Sequence, residues 1–181
     1  MSSKTVTSSK KLPKKCHKNH DDDLLRSQLL QRFRIIVNND GGDCLFKALA
    51  QLRFGENFER KHRIIRTVVM DKMESKSIPF NISDYVEDDE DVSDYFERLR
   101  FKGEHGGEAE ILTAALLFER TIIVHDAHHG APLVYPSHKS LRRYIAIDAE
   151  TYHLFRTTSR DVGRYEAMME HKIPEDEQSQ R

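Results

Sequence analysis

Cysteine is scarce in this sequence: 181 residues contain two, Cys16 and Cys44. A secreted domain stapled by disulfides needs more, and a zinc site built mainly on thiolates is excluded by count. The expected setting is therefore the cytosol or the nucleus, with both thiols reduced. An excess of one charge is also missing. There are 29 Lys plus Arg and 30 Asp plus Glu, for a formal net charge of -1. That excludes a generally basic nucleic-acid coat and a generally acidic solvating chain, and nucleic acid is not an expected partner. No apolar run approaches the roughly 18 residues a membrane span needs. The lysine-bearing start has no apolar stretch of the kind a secretory leader uses, so no membrane partner is expected.

What is present suffices for one domain. Residues 1–22 form a basic tail: the first 20 hold six lysines and no acid, and their lack of periodicity predicts disorder. Residues 23–172 read as one folded unit and 173–181 as a polar tail. Asp21, Asp22 and Asp23 suit the start of a helix. Phe33 to Val37 is a short apolar stretch, and Asn38 to Asp43 is turn chemistry. Leu45, Ala48, Leu49 and Leu52 fall at i, i+3, i+4 and i+7, which predicts a helix ending near Gly55. Further helices are expected over Phe58–Met73, Tyr95–Arg100 and Glu108–Phe118, with an acid-rich loop before Tyr95. Thr121–Val124, Tyr144–Ile147 and Tyr152–Thr157 read as strands. Val162–His171 reads as a last helix. Helices gather early and strands late, which points to an α+β fold with helices packed around one sheet.

Cys44 stands where a glycine-rich turn becomes a helix. Free N–H groups at a helix start favour thiolate over thiol. Gly41 and Gly42 allow backbone angles closed to other residues and close approach of a substrate, and their N–H groups can face a developing oxyanion. A nucleophile with donors beside it is what acyl transfer needs. A buried structural cysteine after an ordinary turn fits the same string equally well.

A thiolate nucleophile needs a base, and ten histidines offer many choices. His153 stands out because strand-like sequence brackets it. A metal site from His125, His128 and His129 with Asp126 is disfavoured, since neighbouring histidines in a loop seldom converge on one ion. No cofactor is expected.

The string Asp40-Gly-Gly-Asp-Cys44-Leu-Phe-Lys-Ala resembles the cysteine motif of the ovarian tumour (OTU) family of deubiquitinating cysteine proteases, usually Asp-Gly-Asn-Cys-Leu-Phe-Arg-Ala. Gly106-Gly107-Glu-Ala-Glu110-Ile-Leu, with the strand after its helix, is similar to the family's Trp-Gly-Gly-x-x-Glu-Leu block. Tyr144–Ile147 followed by Tyr152-His153-Leu-Phe resembles its closing strand with the histidine. The resemblance implies a papain-like fold and hydrolysis of isopeptide bonds at the ubiquitin C-terminus. Ubiquitin, polyubiquitin or a ubiquitin-like modifier is then the partner. It assigns Cys44 as nucleophile and His153 as base, with Asp40 first choice to orient the imidazole and Asn38, Asn39 and Asp43 behind it. Gly41, Gly42 and Asp43, with Gly106 and Gly107, match the substrate-binding backbone, and Glu104 or Glu108 can pair with arginines of the ubiquitin tail.

The sequence departs from the pattern in three places. Gly41 stands where the family's aspartate precedes the cysteine by three. Phe155 stands two residues after His153, where the family often has Asn or Asp. His105 replaces the tryptophan. An OTU-like domain that binds ubiquitin with weak or no turnover is the alternative these departures imply.

Overall fold

The structure is a computed structural model that describes residues 20–38, 41–58, 60–101, 103–126, 129, 131–137, 151–157 and 164–171. Five helices are found among them: α1 (His20–Leu29), α2 (Cys44–Phe54), α3 (Lys61–Glu74), α4 (Val92–Arg100) and α5 (Glu108–Phe118). The strands are β1 (Phe33–Ile36), β2 (Ile122–Asp126), β3 (Leu133–Tyr135), β4 (Tyr152–Thr157) and β5 (Arg164–Glu170). They form one sheet in the order β1-β5-β4-β2-β3. Only β2 and β4 pair in parallel; the other neighbours are antiparallel.

The sheet has two different faces because strand residues alternate. Ile122, Val124, Leu154, Tyr165 and Ala167 point to the front and share one core with α2, α3, α4 and α5. Phe33, Ile35, Phe155 and Met168 point to the back, where Leu25 and Leu29 of α1 cover them. Helix α2 is the centre of the front layer, with Leu45, Phe46, Ala48, Leu49 and Ala50 wholly buried. It stops at Gly55, whose φ of 58° suits a residue without Cβ. Helix α5 starts at Gly107, whose N–H donates to the Glu110 carboxylate at 2.5 Å. No helix among the described residues is long and apolar enough to cross a membrane.

One expected helix is a strand, and one strand was not expected. The helix expected over Val162–His171 is strand β5, paired on both sides. Glu, Ala and Met favour helix only weakly, and two ladders of hydrogen bonds outweigh that preference. Leu133–Tyr135, which carried no prediction, is the edge strand β3. The expected strand Tyr144–Ile147, residues 1–19 of the expected 1–22 tail and the whole 173–181 tail lie outside the described residues, and α1 begins at His20.

Candidate active site

Cys44 is the first residue of α2, and its side chain is inside the protein, with 1% exposure. The backbone N–H of Tyr165, near the start of β5, donates to Sγ at 3.4 Å. Asn38 ties the same two elements together: its Nδ2 donates to the Cys44 carbonyl at 2.7 Å and to the Tyr165 carbonyl at 3.3 Å. Asn38 is thus a buried bridge between backbones. Burial pushes the Cys44 thiol up, while the Tyr165 and Leu45 amides and the nearby charge of Arg164 pull it down. Burial prevails, so the helix start alone does not ionise this thiol.

His153 is not beside it. His153 pairs with Met168 across β4 and β5, and both point to the back of the sheet. The rung nearest the sulfur is Arg156–Tyr165, three residues further along β4, about 10 Å at strand rise. The imidazole meets Phe33 and His125 instead. Its neighbour Phe155 is also on the back, wholly buried beneath the Arg26 guanidinium. The reason is register: β4 pairs with β5 so that His153 lies three rungs from the Tyr165 amide, and alternation puts residues 153 and 155 on the back, the face that also carries Arg164 and Glu166. Asp40 and Asn39 lie outside the described residues.

What stands at the thiol is the peptide between Arg164 and Tyr165. It supplies the N–H on Sγ, and the Arg164 charge acts on the sulfur. Glu166 follows two residues later on the same face as Arg164, held by Arg26 at 2.7 Å. An acid two residues on is the spacing looked for after His153. It occurs here after an arginine, and that was the signal available in the sequence.

The glycine loop is built against the protein itself. A Cβ on Gly42 would lie 1.6 Å from the Gly103 carbonyl oxygen, so only glycine fits between the two segments. Gly41 has φ +52°, and a Cβ there would meet nothing within 4 Å. Asp43 is committed internally: its Oδ1 accepts from Arg66 at 2.6 Å and from the Gly103 N–H at 3.3 Å. Arg66 also donates to the carbonyls of Leu99 (2.6 Å), Glu104 (2.7 Å) and Gly42 (3.3 Å), and lies 4.0 Å over the Phe46 ring. One buried guanidinium thereby joins the loop before Cys44 to the end of α4 and the approach to Gly106. Gly42→Ala is expected to lower stability by about 3 kcal/mol, measured by urea denaturation; a loss under about 0.5 kcal/mol would show that residue 103 does not press on it.

Gly106 packs on the active helix, where a Cβ would lie 2.8 Å from Leu45. Beside Gly106 and Gly107 opens a cavity of about 580 Å³ whose wall includes Asp84, Glu87, Glu90, Glu108 and Arg98. Glu110, at its base, is buried and accepts from the Tyr95 hydroxyl at 2.6 Å. Burial pushes its carboxyl up, against the pull of that bond. Among the described residues no three His, Cys, Asp or Glu side chains are grouped to hold a metal ion. His125 faces back, while Asp126 faces front and meets His129 at 3.2 Å, so His125 and Asp126 do not converge on one ion.

A family model of OTU-like cysteine proteases matches residues 39–161. The chain belongs to the OTU-like cysteine protease family. No curated protein matches the sequence. The fold is similar to the Hazara virus OTU, solved bound to ubiquitin. That match has 11% identity and a TM-score of 0.61, and covers 80% of this chain and 86% of the viral one. It is also similar to the viral OTU domain protease of Dera Ghazi Khan virus (16% identity, TM-score 0.61, 80% and 85% covered). An OTU deubiquitinase of Wolbachia pipientis wMel matches at 13% identity and TM-score 0.54, with 82% and 96% covered. At such identities the shared property is the OTU fold. Within that fold, this chain keeps the cysteine at the head of its helix and has an arginine on the strand that meets it.

Proposed function

We propose that this OTU domain binds ubiquitin and has little or no hydrolytic turnover. The observation that carries the proposal is the thiol's surroundings: Cys44 meets the Tyr165 amide and the Arg164 charge, while His153 lies three rungs further along the sheet, bonded to His125. Acyl transfer needs a group that takes the thiol proton and returns it to the leaving amine. A guanidinium is always protonated and can do neither step. It can still attract a thiolate, but a high thiol pKa and a buried sulfur both oppose attack.

Binding requires less than turnover. The resemblance of the Cys44 and Gly106-Gly107 blocks, and a fold shared with an OTU solved bound to ubiquitin, support ubiquitin as the ligand. The carboxylates around the 580 Å³ cavity offer partners for the arginines of a ubiquitin tail. A Cys44-dependent deubiquitinase is the second reading, favoured by the Leu45 and Tyr165 amides that would stabilise a thiolate.

Titration of ubiquitin followed by NMR, alongside hydrolysis of a fluorogenic ubiquitin substrate, separates the two. Saturable binding is expected, with turnover no greater than that of Cys44→Ala. Turnover per bound ubiquitin is expected to be the same in His153→Gln as in the unaltered protein. Turnover that Cys44→Ala abolishes would establish the deubiquitinase instead, and absence of binding would overturn both.

A further inference from the structure

The histidine that sequence spacing offered as a base has another partner. Nδ1 of His153 lies 3.1 Å from Nε2 of His125. The rings stack at 24° with centroids 5.4 Å apart. Phe33 of β1 lies against both, its centroid 4.7 Å from that of His153 and 6.1 Å from that of His125. Two neutral imidazoles form one N–H···N bond, with one ring donating and the other accepting. A first proton on the donor ring's free nitrogen leaves the N–H···N bond in place, and a second removes the acceptor and puts a pair of cations in contact.

The pair lies on the back of β2 and β4, with Phe33 of β1 against both rings. On one side His125 lines a cavity of about 270 Å³ with Asp21, Leu25 and Gln28 of α1 and with Asp126. The charged neighbours come from every element around it. Arg32 lies between α1 and β1 and is bonded to Glu170 of β5 at 2.7 Å. Arg26 of α1 is bonded to Glu166 of β5 at 2.7 Å. His171, after β5, places Nε2 3.2 Å from the Leu30 carbonyl. Asp126 of β2 is engaged by Arg156 of β4 and by His129, at 3.3 Å and 3.2 Å. Arg32 opposes a positive charge on either ring, and Glu170 favours one on His153.

We propose that the His125–His153 pair is an acid-released latch: as a neutral pair joining β2 to β4 it seats Phe33 of β1 and faces α1, and two positive charges on the pair unseat both. Burial pushes both imidazoles below the ordinary histidine value, His153 to about 4. An exposed histidine protonates near 6.5. The closed form therefore keeps its full advantage above about pH 6.5 and loses it as pH falls toward 4. For His153 alone those two values make opening roughly 30-fold more favourable at pH 5 than at pH 7.5. Release uncovers Phe155 and Met168 and leaves β5, whose Tyr165 amide meets Cys44, as an edge strand.

Hydrogen exchange on the full chain at pH 7.5 and 5.0, corrected for intrinsic rates, tests this. Amides of α1 and β1 are expected to open roughly 30-fold more at the lower pH relative to those of α2. His153→Gln, which retains a hydrogen-bonding side chain but does not titrate, is expected to remove most of that difference. An unchanged pH response in His153→Gln, or equal opening of α1 and α2, would overturn the latch. Should the variant not fold, NMR titration of the unaltered protein decides. A His153 midpoint well below 6 is expected, and a midpoint near 6.5 sinks the idea.

Discussion

Arg164→His is expected to raise Cys44-dependent hydrolysis of a fluorogenic ubiquitin substrate by at least about 100-fold, the lower end of what a positioned general base supplies. Position 164 is the place to install it because the 164–165 peptide already touches Sγ. Glu166 stands on the same side two residues further on, where a carboxylate can orient an imidazole. Arg26 holds that carboxylate at 2.7 Å, so a second change, Arg26→Gln, is expected to add to the gain. The assay should be run from pH 6 to 9, since a new imidazole would give a rising limb near its own pKa. Activity no different from the starting protein, in a variant that still binds ubiquitin, would show that lack of a base is not what limits this site. Such a result would leave the binding proposal standing and move attention to the buried sulfur.

Arg66→Met is expected to cost about 3–5 kcal/mol, the range for breaking a buried ion pair by removing one partner. The Arg66 and Asp43 side chains are 6% and 7% exposed. Removing the guanidinium strands the Asp43 carboxylate and leaves the carbonyls of Leu99, Glu104 and Gly42 without that donor. Arg66→Lys keeps the charge but not the fork, which reaches four groups at once, and should recover less than half of the loss. Urea denaturation measures both. A cost near 1 kcal/mol for Arg66→Met would mean water or another donor replaces the guanidinium. The double variant Asp43→Asn, Arg66→Met should lose less than the sum of the singles, because no charge is then stranded.

Much of the front layer was legible from residue order. The i, i+3, i+4, i+7 spacing of Leu45, Ala48, Leu49 and Leu52 fixed α2, and the helix Glu108–Phe118 has the expected bounds. Local spacing states which residues share a helix face, and α2 and α5 obey it. β5 was misjudged because its residues suit a helix almost as well as a strand. The decision came from β1 and β4, more than a hundred and about ten residues away in sequence. Asp43, Gly41 and Gly42 were expected to serve a substrate. Arg66 and Gly103, distant in the chain, make Asp43 and Gly42 internal supports.

The order of residues determined the fold class and the family, because both rest on short strings whose meaning is local: a turn of glycines before Cys44, Gly106-Gly107 before a helix, alternation in the strands. Which side chain stands at the sulfur was decided only in three dimensions. A strand shows its residues alternately to two layers, and which layer each one meets depends on pairing with distant strands. That pairing set His153 three rungs away from the sulfur and brought the Arg164–Tyr165 peptide of β5 to it.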